Sequence, residues 1–386
     1  MKLKNYIPDE LSYFQELRRW FHAHPEESLK EYKTAEKIET ELDKLDIPHT
    51  RVGATGVYAV IHGKAPGHII ALRGDIDALC MQDLKDTDYR SQNDGLCHAC
   101  GHDSHAAALL TAAKILQSLK DTFNGEIRLF FQQAEEIGQG ARQFVKAGLL
   151  DGVERVYGSH CCSGLPKGTI SITPGPNNAS CDRFTIAVHG KGAHVSTPHL
   201  GQDALYASTS IVNALQQIVA RNTDPLDPVL IGIGILRSGT AYNIVANEGY
   251  IQGTTRCFSQ ETRTKTNQRI AEIAELTAKA ANCTIDITFE DFAAPLVNDK
   301  EVCAEVSETA NDIFDTIVTD REKSLGADDF ADYLQVTKGC YAFIGTSNEN
   351  DPNTHAPHHH GLFDLDEEAM TAAAELYAGY ALNYLR

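Results

Sequence analysis

The sequence predicts an α/β protein, a mixed sheet flanked by helices, interrupted by an inserted α+β module of ferredoxin-like order. Three observations predict it. Helix and strand patterns alternate from residue 8 to residue 159. A turn-rich break, P-G-P-N-N-A-S at 174–180, then opens a run that reads β-α-β-β-α-β. Beyond Ala294 the helix–strand–helix texture of the first part returns.

Taken in order, 8–24 and 31–45 read as amphipathic helices, and 68–74 (H-I-I-A-L-R-G) as a buried strand. Residues 104–119 form an Ala/Leu-rich helix with Asp103 or Ser104 placed to cap it. Strands follow at 126–133 (E-I-R-L-F-F-Q-Q) and 153–159. Within the module come strand 182–190, helix 202–221, strands 229–236 and 248–258, helix 261–281 and strand 283–290. The chain returns to helix over 300–318, strand over 339–345 (G-C-Y-A-F-I-G) and helix over 365–385. The simplest organisation is a discontinuous domain, 1–180 with 293–386, carrying an inserted domain, 181–292. A chain of 386 residues is long for one core, in keeping with two domains.

Composition narrows the function. A net charge of −19 argues against nucleic acid, whose phosphates need a basic surface. Any anionic substrate must therefore be held by local positive groups or by metal. No apolar run reaches the roughly 18 residues of a membrane span. The stretch Met1–Phe14 mixes Lys2, Lys4, Asp9 and Glu10 with few apolar residues and lacks a signal-peptide core, so a cytoplasmic protein is expected. Ten cysteines in such a chain read as reduced thiols, metal ligands or core residues.

Four clusters could carry chemistry. C-H-A-C-G-H-D-S-H at 97–105 packs two Cys, three His and one Asp into nine residues. A redox C-x-x-C wants a thioredoxin-like context and a zinc knuckle wants a second pair nearby, and neither is present. Cys100 and His102 are two apart, so on an extended segment they project to one side and reach one metal site. Thiolate with imidazole suits a transition metal, not Mg or Ca. Q-Q-A-E-E at 132–136 is either a solvated charge pair or a pair in which Glu136 binds metal and Glu135 activates a water. The second option requires the chain to turn there, since neighbours on a strand point opposite ways. His160, at the end of a predicted strand, and H-A-P-H-H-H at 355–360 are each open between structural and ligand roles. Position joins them. R-G-D-I-D (73–77), Glu135–Glu136, His160 and the loop after Gly345 all follow predicted strands, where ligands gather in open α/β sheets.

Together these residues resemble the metallopeptidase family of N-acyl-amino-acid amidohydrolases, which includes hippurate hydrolases, auxin-conjugate hydrolases and, more distantly, carboxypeptidase G. The resemblance spans nearly the whole chain. It runs through R-R-W-F-H-A-H-P-E (18–26), R-G-D-I-D-A-L (73–79), C-G-H-D-S-H (100–105), Q-A-E-E (133–136) and G-K-G-A-H (190–194). It continues with G-T-A-Y-N-I-V (239–245), A-D-D-F (327–330) and H-H-G-L-F-D (359–364). Each motif is weak alone; their order and spacing are specific.

The resemblance implies two divalent metal ions per subunit, manganese first, zinc or cobalt next. Its ligands would be Cys100, His102, Glu136, His160 and His359, with His358 and His360 as fallbacks. Glu135 would be the catalytic base. Asp75, Asp77 and Asp103 fit roles behind the ligands. The inserted domain would be a lid and dimerisation domain, with His194 stabilising the oxyanion and His194, Asn243 and Arg256 facing the substrate. The partners implied are a small N-acyl amino acid and a second copy of the chain, giving a homodimer or higher homo-oligomer. The chemistry implied is amide hydrolysis by water activated between two metals about 3.5–4 Å apart. The sequence departs from the family pattern at Cys80 (often Pro), Ser104 (Gly), Ala246 (Pro) and Asp328 (Glu). None is a proposed ligand or the base; Cys80, with Asp83, bears on substrate preference. The rival readings are a metallo-exopeptidase on the same scaffold, a non-catalytic metal sensor, and a thiol-redox protein built on Cys97 and Cys100. Retention of Glu135 speaks against the sensor, since binding alone needs no base.

Overall fold

The computed structural model describes residues 10–386. In chain order it holds α1 (Leu11–Ala23), α2 (Tyr32–Lys44), β1 (His49–Val52), β2 (Gly56–His62), β3 (Ile69–Asp75), α3 (His102–Ser118), β4 (Glu126–Gln132), α4 (Ala141–Lys146), β5 (Arg155–Pro166) and β6 (Thr169–Ser171). Then come β7 (Gly175–Asn178), β8 (Cys181–His189), β9 (Ala193–His194), α5 (Ala204–Leu215), β10 (Val229–Ser238), β11 (Ile244–Val245), β12 (Glu248–Cys257), α6 (Gln260–Ala280) and β13 (Thr284–Ala293). The chain ends with β14 (Leu296–Asn298), α7 (Lys300–Ala310), β15 (Thr316–Val318), α8 (Ala331–Leu334), β16 (Gly339–Ser347) and α9 (Glu367–Leu385). Residues 8 and 9 of the expected first helix lie outside the described residues.

Two compact units divide the chain. One holds the described residues up to Gly175 with Asn298–Glu322 and Asp328–Arg386; the other holds Pro176–Val297 and Lys323–Ala327. In the first, eight strands run in the order β1-β2-β4-β3-β5-β16-β6-β15. The central strands β4, β3, β5 and β16 are mutually parallel, while β1, β2 and β4 pair antiparallel. Burial explains this layout. β3 and β16 are buried almost end to end, as interior parallel strands covered on both faces must be. α3 is likewise buried nearly all round, packed by α1 and α9, so its Ala-rich surface faces protein on every side.

The second unit sets out β8-α5-β10-β12-α6-β13 with sheet order β10-β12-β8-β13, all antiparallel. β8 and β12 alternate buried and open positions, and α5 and α6 close one face through Ile186, Ile211, Leu215, Ile251 and Ile270. No helix among the described residues is long and apolar enough to cross a membrane.

Three readings are corrected. The helix expected over 300–318 stops at Ala310, and Thr316–Val318 is a strand parallel to β6. Asn311 and Asp312 are weak helix formers, and Thr-Ile-Val favours the extended chain. The helix expected over 202–221 ends at Leu215, followed by a π-turn at Ile218–Asn222. Asp103 and Ser104 do not cap α3 from outside; the helix begins at His102, and Asp103 is spent on other partners.

After β4 the backbone turns sharply at Ala134, whose φ is +55°. Its N–H donates to Glu31 Oε1 at 2.9 Å, and Thr55 Oγ1 donates to Glu31 Oε2 at 2.6 Å. Glu31 is wholly buried, and burial pushes its carboxyl from the ordinary 4.5 up to about 7 against the Thr55 hydrogen bond. The folded chain therefore binds this proton more tightly than the unfolded chain, and stability falls as pH rises from about 4.5 to about 7. A glutamine keeps both contacts, its carbonyl accepting from Ala134 and its amide donating to the Thr55 hydroxyl. In metal-free protein, Glu31→Gln should match the parent near pH 4.5 and exceed it by roughly 2–3 kcal/mol at pH 8. Urea unfolding at the two pH values checks this; an offset that does not change with pH would refute it.

Candidate metal centre

The C-terminal ends of β3 and β4, the middle of β5 and the segment before α3 converge within the first unit. Convergence at Cys100 and His102 has a different cause from the one expected. The segment is not extended: Gly101 adopts φ +88°, and His102 opens the helix. A Cβ on Gly101 would fall 2.3 Å from Cys161 Sγ, so both the conformation and the space demand glycine. The turn leaves Cys100 Sγ 3.4 Å from His160 Nε2. His160 also departs from its expected place, because β5 continues past it to Pro166.

The turn at Ala134 is what lets two adjacent glutamates serve one pocket. His102 Nε2 lies 4.0 Å from Glu135 Oε2 and 3.8 Å from Glu136 Oε1. Asp77 anchors both sides: Oδ1 lies 3.2 Å from His102 Nδ1, and Oδ2 accepts from Glu136 N at 3.0 Å and from Ser28 Oγ at 2.7 Å. The third segment, 355–360, delivers His359, whose Nε2 lies 3.7 Å from Glu136 Oε2. Its backbone sits at φ +60°, and its N–H donates to Ala99 O at 2.9 Å. A left-handed histidine is costly and marks a position the surroundings impose. His358 packs between Phe363 and His160, ring centroids 4.7 and 5.2 Å away, and His360 is exposed with Nδ1 accepting from Leu362 N.

The residues fit divalent cations. His102 Nε2 and Glu136 Oε1 are buried and have no hydrogen-bond partner, although they face one another. Buried polar atoms are rarely left so. Cys100, His102 and His160 offer donor atoms within 4.8 Å of one another, and so do Cys100, Glu136 and His359, two sets sharing one sulfur. Thiolate, imidazole and carboxylate together suit a soft or borderline transition metal. Electrostatics agree. Burial, then neighbouring acids, pushes Glu135 well above its usual range, and burial lifts Glu136 to about 7. Burial, then Glu136 and Glu135, also drives the Cys100 thiol up. Burial pulls His102 down, but Asp75 and Asp77 outweigh it and raise the imidazole to about 10. The pocket is short of positive charge.

Residues that the sequence did not single out hold this arrangement. His105 Nδ1 lies 2.5 Å from Asp75 Oδ1, and its Nε2 accepts from Cys161 N at 2.9 Å, so the ring is neutral with its proton on Nδ1. Arg73, buried, donates to Asp75 (2.5 Å), Gln132 (2.8 Å), Asp329 (3.1 Å) and Asp328 (3.3 Å). His105 stood in a quoted run, and Arg73 at a strand end; nothing local betrays their partners.

The other expected site residues lie in the second unit. His194 on β9 pairs with Ile244 on β11, and Asn243 O accepts from Val195 N at 3.1 Å, so His194 and Asn243 are neighbours. His194 Nδ1 accepts from Ser196 N at 3.1 Å and lies 2.7 Å from Ser196 Oγ. Arg256, half-buried on β12, donates to Thr255 O at 3.0 Å and to Thr254 Oγ1.

The model of peptidase family M20/M25/M40 matches residues 71–383. Thermostable carboxypeptidase 2 of Saccharolobus solfataricus is 38% identical over 388 residues, covering 99% of this chain and 98% of the relative. An N-acyl-L-amino acid amidohydrolase of Geobacillus stearothermophilus is 40% identical over 283 residues, 73% of this chain and 76% of the relative. Among solved structures, a dinuclear metal binding peptidase of Bacillus subtilis aligns with TM-score 0.83 and 32% identity, covering 98% of this chain and 99% of its own. With the family match and the relatives in agreement, the chain belongs to peptidase family M20/M25/M40, a family of metal-dependent hydrolases.

Proposed function

We propose that this enzyme cleaves the amide bond of small N-acyl amino acids with two divalent cations and a glutamate base. One observation carries the reading. Two buried unpartnered donors, His102 Nε2 and Glu136 Oε1, face each other beside Glu135, a carboxyl that burial makes strongly basic. Cys100, His102, Glu136, His160 and His359 would hold the cations, manganese first, zinc or cobalt as alternatives. When bound, the cations would supply an activated water and polarise the amide carbonyl.

The chain's own groups do the rest. Glu135 takes a proton from the attacking water and hands it to the departing nitrogen. Ser196 N–H donates to His194 Nδ1, so the neutral ring carries its proton on Nε2, ready to meet developing charge on the amide oxygen. Asn243 and Arg256 face the substrate, and the unit that bears them acts as the lid.

Glu135→Gln and His194→Ala should each lower kcat by about 10²-fold or more while retaining two metal equivalents per chain. Steady-state rates with elemental analysis check this, and near-parental turnover in Glu135→Gln would remove the base assignment.

The second reading, an exopeptidase, is favoured by the relative named a carboxypeptidase. Chelated enzyme refilled with Mn, Zn or Co and assayed on N-acetyl amino acids against unblocked dipeptides separates the two. Preference for the acylated substrates supports deacylation, and faster cleavage of dipeptides would overturn it.

The same proposal includes a homodimer through the second unit, where edge strand β10 exposes Leu230 and Leu236. Light scattering should return twice the mass of one chain; a monomer mass would exclude it.

A further inference from the structure

The motif R-R-W-F-H at 18–22 lies on α1, remote in sequence from every candidate ligand, yet the Arg18 side chain is completely buried. Its guanidinium is divided among three carboxylates. Nε donates to Asp103 Oδ2 at 2.9 Å, one terminal nitrogen to Asp364 Oδ1 at 2.6 Å, and the other to Glu367 Oε1 at 3.4 Å. The face of the group lies over Tyr89, 4.8 Å from the ring centroid, and the Tyr89 hydroxyl donates to Asp364 Oδ2 at 2.7 Å. One turn along α1, His22 Nδ1 lies 2.6 Å from the same Asp103 oxygen that Arg18 uses.

The two aspartates belong to different halves of the metal centre. Asp103 follows His102 directly. Asp364 closes the loop that carries His359. Across the gap, the backbones are joined by the hydrogen bond from His359 N to Ala99 O. The two sides are not equally secure. His102 is buried, held by Asp77 and by the packing of α3. His359 is 56% exposed on a left-handed backbone.

We infer that Arg18 is a positioning residue: it clamps the 358–364 loop to the start of α3 and so fixes how far His359 stands from Cys100 and Glu136. The inference rests on the two-cation reading above. It adds that the two cations depend unequally on α1, the one served by His359 strongly and the one served by His102 weakly. Guanidinium chemistry suits the task, since one planar group can meet carboxylates from two segments at fixed angles, whereas an ammonium can reach two carboxylates, as Lys167 does with Asp366 and Glu368, but sets no such angles.

Metal titration of Arg18→Gln, Arg18→Lys and Asp364→Asn tests it, alongside kcat, KM and melting of the metal-free chains. The parent should bind two equivalents. Arg18→Gln and Asp364→Asn should keep the first equivalent at parental affinity and bind the second at least tenfold more weakly. Their kcat should fall at low metal and recover as metal is raised, with KM within about twofold of the parent. Arg18→Lys should fall between. A purely structural residue would lower the melting temperature without that one-sided recovery. If Arg18→Gln does not fold, Asp364→Asn decides, because it leaves the Arg18–Asp103 pair intact. Both equivalents retained at parental affinity in Asp364→Asn and Arg18→Gln, or both lost together in Asp364→Asn, would overturn the inference. A parent that binds fewer than two equivalents would instead overturn the two-cation reading itself.

Discussion

Four carboxylates and a thiol crowd one largely buried pocket, and the surrounding structure is organised to bear that concentration of negative charge. Asp75, Asp77, Glu135 and Glu136 lie around His102, with Cys100 beside them. Removing such groups from water costs several kcal/mol per ion unless charge or hydrogen bonds offset it. On the inner side, Arg73 takes Asp75, Asp328 and Asp329, and His105 caps the second Asp75 oxygen. On the outer side nothing equivalent is built among the described residues. There, burial and like charge hold Glu135 well above its usual range, and Asp75 with Asp77 draws a proton to His102. The asymmetry is informative: the chain's own groups neutralise Asp75, and Glu136 with His102 is left as the proposed cation site requires.

Geometry follows from three residues that violate ordinary backbone preference. Gly101, Ala134 and His359 all have positive φ. Gly101 and Ala134 adjoin a candidate ligand or base and His359 is a candidate ligand itself, and each converts a segment that would carry its side chains past the pocket into one that turns toward it. Glycine adopts this conformation freely; alanine and histidine do so at a cost. For Ala134 the cost is met by Glu31, and for His359 by Ala99 O and the Arg18–Asp364 contact. Local strain at a site with stiff support elsewhere is the pattern expected of a preorganised centre.

The legible part of the sequence was the part in which physical signals are local. Period-two burial in β8 and β12, the run G-C-Y-A-F-I-G at 339–345 within β16 and dense Cys/His/Glu runs near strand ends can be read from a window of ten residues. The ferredoxin-like order of the second unit followed from these; of the expected strand-end residues, Glu135 and Glu136 do follow β4, whereas His160 lies within β5. What escaped was long-range. Glu31 looks like any acid before a helix until Ala134, a hundred residues on, needs an acceptor. The hairpin β1–β2 escaped because the residues of β2, G-V-Y-A-V-I-H, are apolar on both faces although their burial alternates from Val57 to His62. The 300–318 segment reads as a single helix because a short Asn-Asp interruption weighs little against helix formers on its N-terminal side. Cys100 and His102 meet through the left-handed turn at Gly101, which their spacing alone does not reveal.

Arg18 and Arg73 divide one labour. Each is buried and each meets three carboxylates, so neither is a surface pair of small worth. Buried ion clusters of this kind are poor sources of net stability, because well-packed apolar groups of equal volume do as well or better. Their retention is better explained by direction. Arg73 joins β3 to the segment at 328–329, fixing the floor of the pocket. Arg18 joins α1, α3 and the 358–364 loop, fixing its rim. An apolar replacement would fill the same space yet leave each aspartate free to turn, and an aspartate that turns no longer fixes the histidine beside it. On this argument the two arginines trade stability for angle, and what the angle secures is the spacing among donor atoms contributed from positions 100 to 359.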